Sequence, residues 1–300
     1  VSITITGFLT WFLVSVKILK FTTAACVGIA LVYGIICILA YEKQRRNGYE
    51  CLPIDRLDLV YIEEILFFAA FLLWTYLAGF HPAAHGTEKF MDYGFMEAMM
   101  RSKTLPATDL WYSQGKINYY YGGQYFAVFL TKLSGTQVEL TYNLMRTFVA
   151  GFAFVLPFSL VRQMTTDLQG RKVTGWKKQL PTLAGFLAGL AVSIAGNMHY
   201  VVIGKLLPWI REIFHLPKGD YTYWFPNSTR YIGYYPAGND KTIHEFPSYS
   251  FVLGDLHAHV VNLMFVVALI SLVYAMMQHY SGKNALQAEV TGNRNFYKNQ

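Results

Sequence analysis

Residues 59–80, LVYIEEILFFAAFLLWTYLAGF, are an almost wholly apolar stretch that decides the fold. A polar, acid-bearing stretch follows closely, Gly86-Thr-Glu-Lys-Phe-Met-Asp92, and then a second polar stretch, Asn118-Tyr-Tyr-Tyr-Gly-Gly-Gln124. A membrane-spanning helix needs about 20 predominantly apolar residues, and residues 59–80 reach that length. The sequence therefore predicts carboxylates held beside a membrane, an arrangement that suggests chemistry on a substrate carried by lipid.

The composition supports a membrane protein. Only 14% of the 300 residues are charged and 54% are hydrophobic, whereas a soluble domain usually carries about a quarter charged residues. The net charge of +7 comes from basic residues that flank apolar stretches rather than from a dense basic patch. We therefore expect the lipid bilayer as a partner and no nucleic acid.

Six stretches have the length or apolarity of spanning helices, so we predict an all-α integral membrane protein, a polytopic helical bundle. Residues 1–300 then form one transmembrane domain, and both ends of the sequence read as cut, so we expect a fragment of a longer protein. Gly185 and Gly189 have the spacing that permits close helix packing. The predicted spans are about 1–19, 21–41, 59–80, 143–162, 182–204 and 257–278.

Residues 119–133 determine the predicted topology. A helix of 15 residues is about 22 Å long, which is too short for a hydrocarbon core of about 30 Å. Its tyrosine-rich start suits the membrane interface, so we predict a juxtamembrane helix. Residues 81–142 and 205–256 are then external, and residues 42–58, 163–181 and the tail after 278 are cytoplasmic.

Glu88 and Asp92 are candidates for catalysis. Their i, i+4 spacing places both carboxylates on one face of a helix over 87–100, with Thr87 as its N-cap. Carboxylates suit a general base or a metal ligand. The alternative is an ordinary surface helix with an acidic first turn, and the spacing alone leaves both open.

A second cluster, Asp255-Leu-His257-Ala-His259, stands where the last predicted span begins, and Glu245 precedes it. Imidazoles and a carboxylate at such short spacing bind zinc or relay protons. The two imidazoles converge only if the backbone is extended or turning there. The alternative is a set of interfacial residues that cap a helix. The predicted topology puts this cluster on the same external face as Glu88 and Asp92.

Aromatic residues supply a third set of candidates. Tyr119, Tyr120 and Tyr121 suit either an aromatic belt at the interface or a surface that binds sugars or isoprenoid chains. Trp224 in the second external segment fits the same interpretations. Arg230 suits a lipid phosphate.

Three of these motifs resemble the YYY-domain family of bacterial and archaeal membrane proteins, named for its tyrosine triplet. They are Glu88-Lys-Phe-Met-Asp92, Asn118-Tyr-Tyr-Tyr-Gly122, and Glu245-Phe-Pro with Gly254-Asp-Leu-His-Ala-His259. The resemblance runs from about Gly7 to the last span. The family looks like a relative of the GT-C glycosyltransferases, which use sugars linked to polyprenyl phosphate at the outer membrane face. The paired acids typical of that superfamily are missing, because Lys89 follows Glu88.

The resemblance implies a GT-C-like arrangement with juxtamembrane helices in the first large external loop, and a membrane glycosyltransferase active at the extracytoplasmic face. A polyprenyl-phosphate-linked sugar would be the donor. A transporter or flippase and a membrane scaffold are the alternatives. The predicted catalytic residues are Glu88, Asp92 and Asp255, and His257 and His259 are predicted to bind a divalent metal ion. The predicted substrate-binding residues are Lys89, Asn118, Tyr119, Tyr120, Tyr121, Trp224, Arg230 and Glu245.

Overall fold

Helices make up the architecture of this computed structural model. It describes residues 1–48, 57–86, 88–170, 174–217, 224–230, 232–234 and 236–290, with side chains up to residue 281. Thr87, the predicted N-cap, and parts of the predicted loops lie outside these ranges. Ten α-helices occur in the described ranges: α1 Ser2–Ser15, α2 Thr23–Arg46, α3 Leu57–Ala78, α4 Lys89–Arg101, α5 Gly122–Ser134, α6 Val138–Gln169, α7 Leu180–Ser193, α8 Leu207–Ile213, α9 Pro247–Leu253 and α10 Ala258–Val290.

The helical architecture confirms the all-α prediction. Among the described residues, three segments are long and apolar enough to cross a membrane: Thr23–Arg46, Val138–Gln169 and Ala258–Ser281. The apolar surface of α2 is largely exposed in the isolated chain, as expected for a helix that faces lipid. The chain is an all-α membrane protein, and the count of six spans and their orientation stay predictions.

The long helix α6 forms the centre of the bundle and packs against α3, α7 and α10. Its contact with α7 is close because small residues recur every four positions on α7. A Cβ atom added to Gly185 would lie 2.6 Å from the Phe158 carbonyl oxygen, and one added to Gly189 would lie 2.8 Å from that of Phe154. Ser193 continues this stripe and donates a hydrogen bond of 3.0 Å to the Ala150 carbonyl. Small residues of this kind let helix backbones approach each other in membranes.

The helix after the tyrosine triplet is short and amphipathic, as the sequence predicts. Helix α5 covers residues 122–134 rather than 119–133, and its C-cap residue is Gly135, which has φ 67°. Glycine adopts this left-handed conformation without steric cost, so it commonly ends helices. One face of α5 is buried, including Tyr125 and Phe129. Its location beside a membrane stays a prediction.

The structure differs from the prediction of one continuous helix over 182–204. Helix α7 ends at Ser193, and a separate π-helical turn begins at Tyr200. The residues between them include small and polar ones, Gly196 and Asn197 among them, and glycine is unfavourable in a helix interior. Hydropathy alone did not predict this interruption, because apolar residues lie on both sides of it.

Candidate functional site

Asp92 lies at the junction of three segments that are distant in sequence. Helix α4 begins at Lys89 with Glu88 as its N-cap residue, so Asp92 stands at the end of the first turn. Its apolar neighbours Phe95 and Met99 are buried in the core, which anchors the helix. Asp92 itself is only 1% exposed. A buried carboxylate needs hydrogen-bond donors, and the structure supplies them from the other two segments.

Gln124 and Leu256 provide these donors. The side-chain amide of Gln124 on α5 donates to Oδ1 of Asp92 at 2.7 Å and to the Leu256 carbonyl at 3.0 Å. The backbone N–H of Leu256 donates to Oδ2 of Asp92 at 3.2 Å. Burial raises the pKa of Asp92 to about 6, although nearby His257 and the Gln124 hydrogen bond act in the opposite direction. Asp92 and Gln124 therefore hold the linker between α9 and α10 in place.

This linker positions the two histidines. Helix α9 ends at Leu253 and is capped by Gly254, whose φ of 78° is left-handed, and α10 begins at Ala258. His257 thus lies in non-helical backbone and His259 in the first turn of α10, so the rings converge, with centroids 5.5 Å apart. This backbone is the turning conformation that the His-x-His spacing requires for convergence.

Glu245 lies between the two imidazoles. Its Oε2 atom is 3.1 Å from Nε2 of His259 and 3.8 Å from Nδ1 of His257. Ser250 donates a hydrogen bond to the same oxygen at 3.1 Å. The hydrogen bond with His259 lowers the pKa of Glu245, and Ser250 adds to that effect. One ligand atom from each of Glu245, His257 and His259 lies within 4.8 Å of the others, so the three residues could hold a metal ion.

The other nitrogen of His257 faces two further carboxylates. Its Nε2 atom lies 3.5 Å from Oε2 of Glu88 and 3.9 Å from Oδ2 of Asp255. This nitrogen is buried and makes no hydrogen bond with the described residues. His257 therefore connects Glu245 on one side with Glu88 and Asp255 on the other.

A pocket of about 260 Å³ opens over this arrangement. It brings together residues from the first polar stretch, the tyrosine triplet and the histidine cluster. A second cavity, a groove of about 370 Å³ along α5 and α10, adjoins it. The pocket and the groove share Tyr120, Ala258 and His259. The pocket is lined by Glu88, Met91, Asp92, Tyr120, Gln124, His257, Ala258 and His259, and the groove by Tyr120, Gly122, Gly123, Phe126, Ala258, His259, Val261, Asn262 and Phe265.

The three tyrosines have different contacts. Tyr119 packs against Phe95 and donates a hydrogen bond to the Tyr120 hydroxyl. Tyr120 lines both cavities. Tyr121 accepts a hydrogen bond of 3.2 Å from the Trp11 indole of α1. Only Tyr120 of the triplet therefore lines the candidate site.

Several predicted site residues do not line the pocket. Lys89 is buried, and this burial lowers its pKa, as does the charge of Arg146. Asn118 is exposed. Arg230 stacks over Trp224 at 5.3 Å and donates a hydrogen bond to the Pro226 carbonyl. The pocket lining among the described residues thus includes neither Lys89 nor Arg230, the two basic residues among the predicted substrate-binding residues.

Sequence patterns did not predict a site role for Gln124, Leu256 or Ser250. Gln124 carried a signal, because it is a polar residue at the start of an otherwise apolar helix face. Leu256 acts through its backbone, and Ser250 lies in an ordinary apolar segment. Nothing in the residue types of Leu256 and Ser250 points to a site.

The family of the chain follows from a match that covers nearly all of it. The family model described as "Uncharacterized membrane protein (DUF2298)" matches residues 5–292. The chain belongs to the DUF2298 family. No curated protein and no solved structure matches this DUF2298 protein. The candidate site lies wholly within the matched residues.

Proposed function

We propose that this DUF2298 protein is a membrane glycosyltransferase that uses a polyprenyl-phosphate-linked sugar at the extracytoplasmic face. One observation carries the proposal: the pocket of carboxylates and imidazoles shares a wall with an apolar groove. An amphiphilic substrate needs both environments side by side. The resemblance of the motifs to the GT-C glycosyltransferases, with an acid and juxtamembrane helices in the first external loop, supports the same class.

The groove suits an isoprenoid chain. Phe126 on α5 and Val261 and Phe265 on α10 supply apolar walls. The candidate span of α10 begins at Ala258, so the groove follows its first two turns and would lie at the membrane boundary. Apolar and aromatic linings of this kind are typical of sites that bind extended apolar ligands. The phosphate and sugar would then lie toward Tyr120 and the pocket.

Glu88 is the best candidate for the general base. Its side chain is 57% exposed and lies 3.5 Å from His257, so it can reach an acceptor hydroxyl in the pocket. Asp92 is buried, with hydrogen bonds to both of its oxygens, so we assign it a positioning role. A base within hydrogen-bond reach of the hydroxyl typically contributes about 10²–10⁴-fold to the rate.

In the proposed reaction, Glu88 takes the proton of the acceptor hydroxyl as the hydroxyl oxygen bonds to the anomeric carbon of the sugar. The bond between that carbon and the phosphate oxygen breaks, and polyprenyl phosphate leaves with the electron pair. Glu88 then returns the proton to solvent. One bond to the anomeric carbon forms and one breaks, so the reaction needs no oxidant or reductant.

The test uses the full-length protein in lipid bilayers with polyprenyl-phosphate sugars and measures sugar transfer and donor hydrolysis. We expect Glu88→Gln to lower turnover about 100-fold, because the amide cannot accept the proton. Glu97→Gln is the matched control, since Glu97 lies on the same helix and pairs with Arg101 at 2.9 Å, away from the pocket lining. If wild type turns over no donor, or if both variants behave alike, the proposal fails and transport assays with lipid-linked substrates follow.

The groove allows a separate prediction through Gly122. A Cβ atom added to Gly122 meets no neighbouring atom within 4 Å, and Gly122 lines the groove. We therefore expect Gly122→Leu to fill the groove without disturbing the fold, and to raise KM for a long-chain donor about 10-fold, a loss of about 1.4 kcal/mol.

Gly34→Leu on α2 is the control, because that position is equally open and lies outside both cavities. The comparison uses steady-state kinetics with long-chain and short-chain donors. An equal change for both donors would show that the groove does not hold the chain.

A further inference from the structure

We propose that Glu245, His257 and His259 form a binding site for one divalent transition-metal ion. The distances fit a shared ion. Ligand atoms about 2.0–2.1 Å from a tetrahedral metal lie about 3.4 Å apart. The Glu245 oxygen lies 3.1 Å from the His259 nitrogen and 3.8 Å from the His257 nitrogen, and all three ligand atoms lie within 4.8 Å of one another.

The surroundings of these ligands also match a metal site. A histidine that binds metal usually donates its other ring N–H to a carboxylate, which fixes the ring and its tautomer. If Nδ1 of His257 binds the ion, Nε2 faces Glu88 at 3.5 Å and Asp255 at 3.9 Å. This Nε2 is buried and makes no hydrogen bond with the part of the chain that the structure describes. Glu245 is likewise oriented by Ser250.

The ligand set selects the class of metal. Two imidazoles and one carboxylate suit zinc and similar transition metals, whereas magnesium and calcium prefer oxygen ligands. Three protein ligands leave a coordination position free, as in catalytic zinc sites. His259 lines the pocket, so the free position can face it.

The role of the ion rests on the proposed function, although its binding does not. Polyprenyl phosphate leaves as an anion, and a positive charge nearby stabilises it. The described residues that line the pocket include neither lysine nor arginine. A metal ion at Glu245, His257 and His259 would supply that charge next to the groove that we assign to the lipid chain.

The experiment measures metal binding directly. Tag-free, full-length protein in lipid nanodiscs is stripped with a chelator and titrated with Co²⁺, followed by visible absorption, and then with Zn²⁺ in competition. We expect one Co²⁺ ion to bind per chain. Its visible absorption should be that of a site with a low coordination number and with nitrogen and oxygen ligands. His259→Ala and Glu245→Gln should each weaken binding at least about 100-fold, because a ligand contributes no less than the groups that orient it.

His279→Ala is the matched control, since His279 is exposed on the same helix and lies outside the cluster. The proposal is overturned if Co²⁺ does not bind, or if His259→Ala binds as well as His279→Ala; Glu245 would then serve only as the ion-pair partner of the histidines. Thermal unfolding of each variant without metal shows whether the fold is intact.

The two proposals fail separately. Metal binding without sugar transfer would support the site and reject the transferase. Transfer that survives complete removal of metal would support the transferase and reject the catalytic role of the ion.

Discussion

Asp92→Ala is expected to lower the free energy of unfolding by about 3 kcal/mol and to abolish activity at the site. The substitution removes the acceptor for the buried N–H of Leu256 and one of the two acceptors for the Gln124 amide. A buried donor left without a partner costs about 1–3 kcal/mol, and the lost side chain leaves a cavity. The linker before His257 loses its attachment to α4 at the same time.

Thermal unfolding of the purified full-length protein in detergent measures this effect. Asp92→Asn should fall between alanine and wild type, because its amide has one acceptor oxygen for two donors. Glu97→Ala serves as the control on the same helix, since the exposed Glu97–Arg101 pair is worth only about 0.3–0.5 kcal/mol. A stability of Asp92→Ala equal to that of Glu97→Ala would contradict the positioning role of Asp92.

Gly189→Leu is expected to destabilise the bundle by about 3 kcal/mol or to prevent folding. The first added carbon would already lie 2.8 Å from the backbone oxygen of Phe154 on α6. A backbone atom cannot rotate away as a side chain can, so α6 and α7 must separate. Overpacking of this kind usually costs about 1–3 kcal/mol and sometimes more.

Separation of these helices would also break the hydrogen bond from Ser193 to the Ala150 carbonyl of α6 and disturb the one that Ser193 accepts from the Trp74 indole of α3. The measurement is the unfolding temperature together with the yield of folded protein from membranes. Gly34→Leu is the control and should change stability little, because its surroundings are open. An unchanged unfolding temperature for Gly189→Leu would mean that the two helices do not pack closely in the membrane.

The sequence predicted those parts of the fold that depend on local pattern. Helices α2, α6 and α10 follow from long apolar stretches, and α5 follows from a short amphipathic one. The Gly185 and Gly189 spacing indicated close packing, and both residues do lie against the backbone of α6. The turning backbone at His257 also matched what the His-x-His spacing needs.

The remaining features of the fold and the site depend on contacts between residues that are distant in sequence, which local sequence patterns do not predict. The Leu256 N–H donates a hydrogen bond to Asp92, which is 164 positions away in the sequence. Every residue except proline has a backbone N–H, so the residue type at position 256 does not predict this partner. The phosphate-binding role of Arg230 stays a prediction, and its described contacts are with Trp224, Pro226 and Thr229. Charge alone did not indicate where that side chain lies.

Tyr120 belongs to the lining of both cavities, and this dual membership has a consequence for selectivity. Under the proposed function, the boundary between the apolar chain and the polar head group of a donor lies at the Tyr120 ring. The position of Tyr120 then determines how deeply the donor enters the site. The groove then selects the type of lipid chain independently of the sugar, so donors that carry different sugars can bind at the same position.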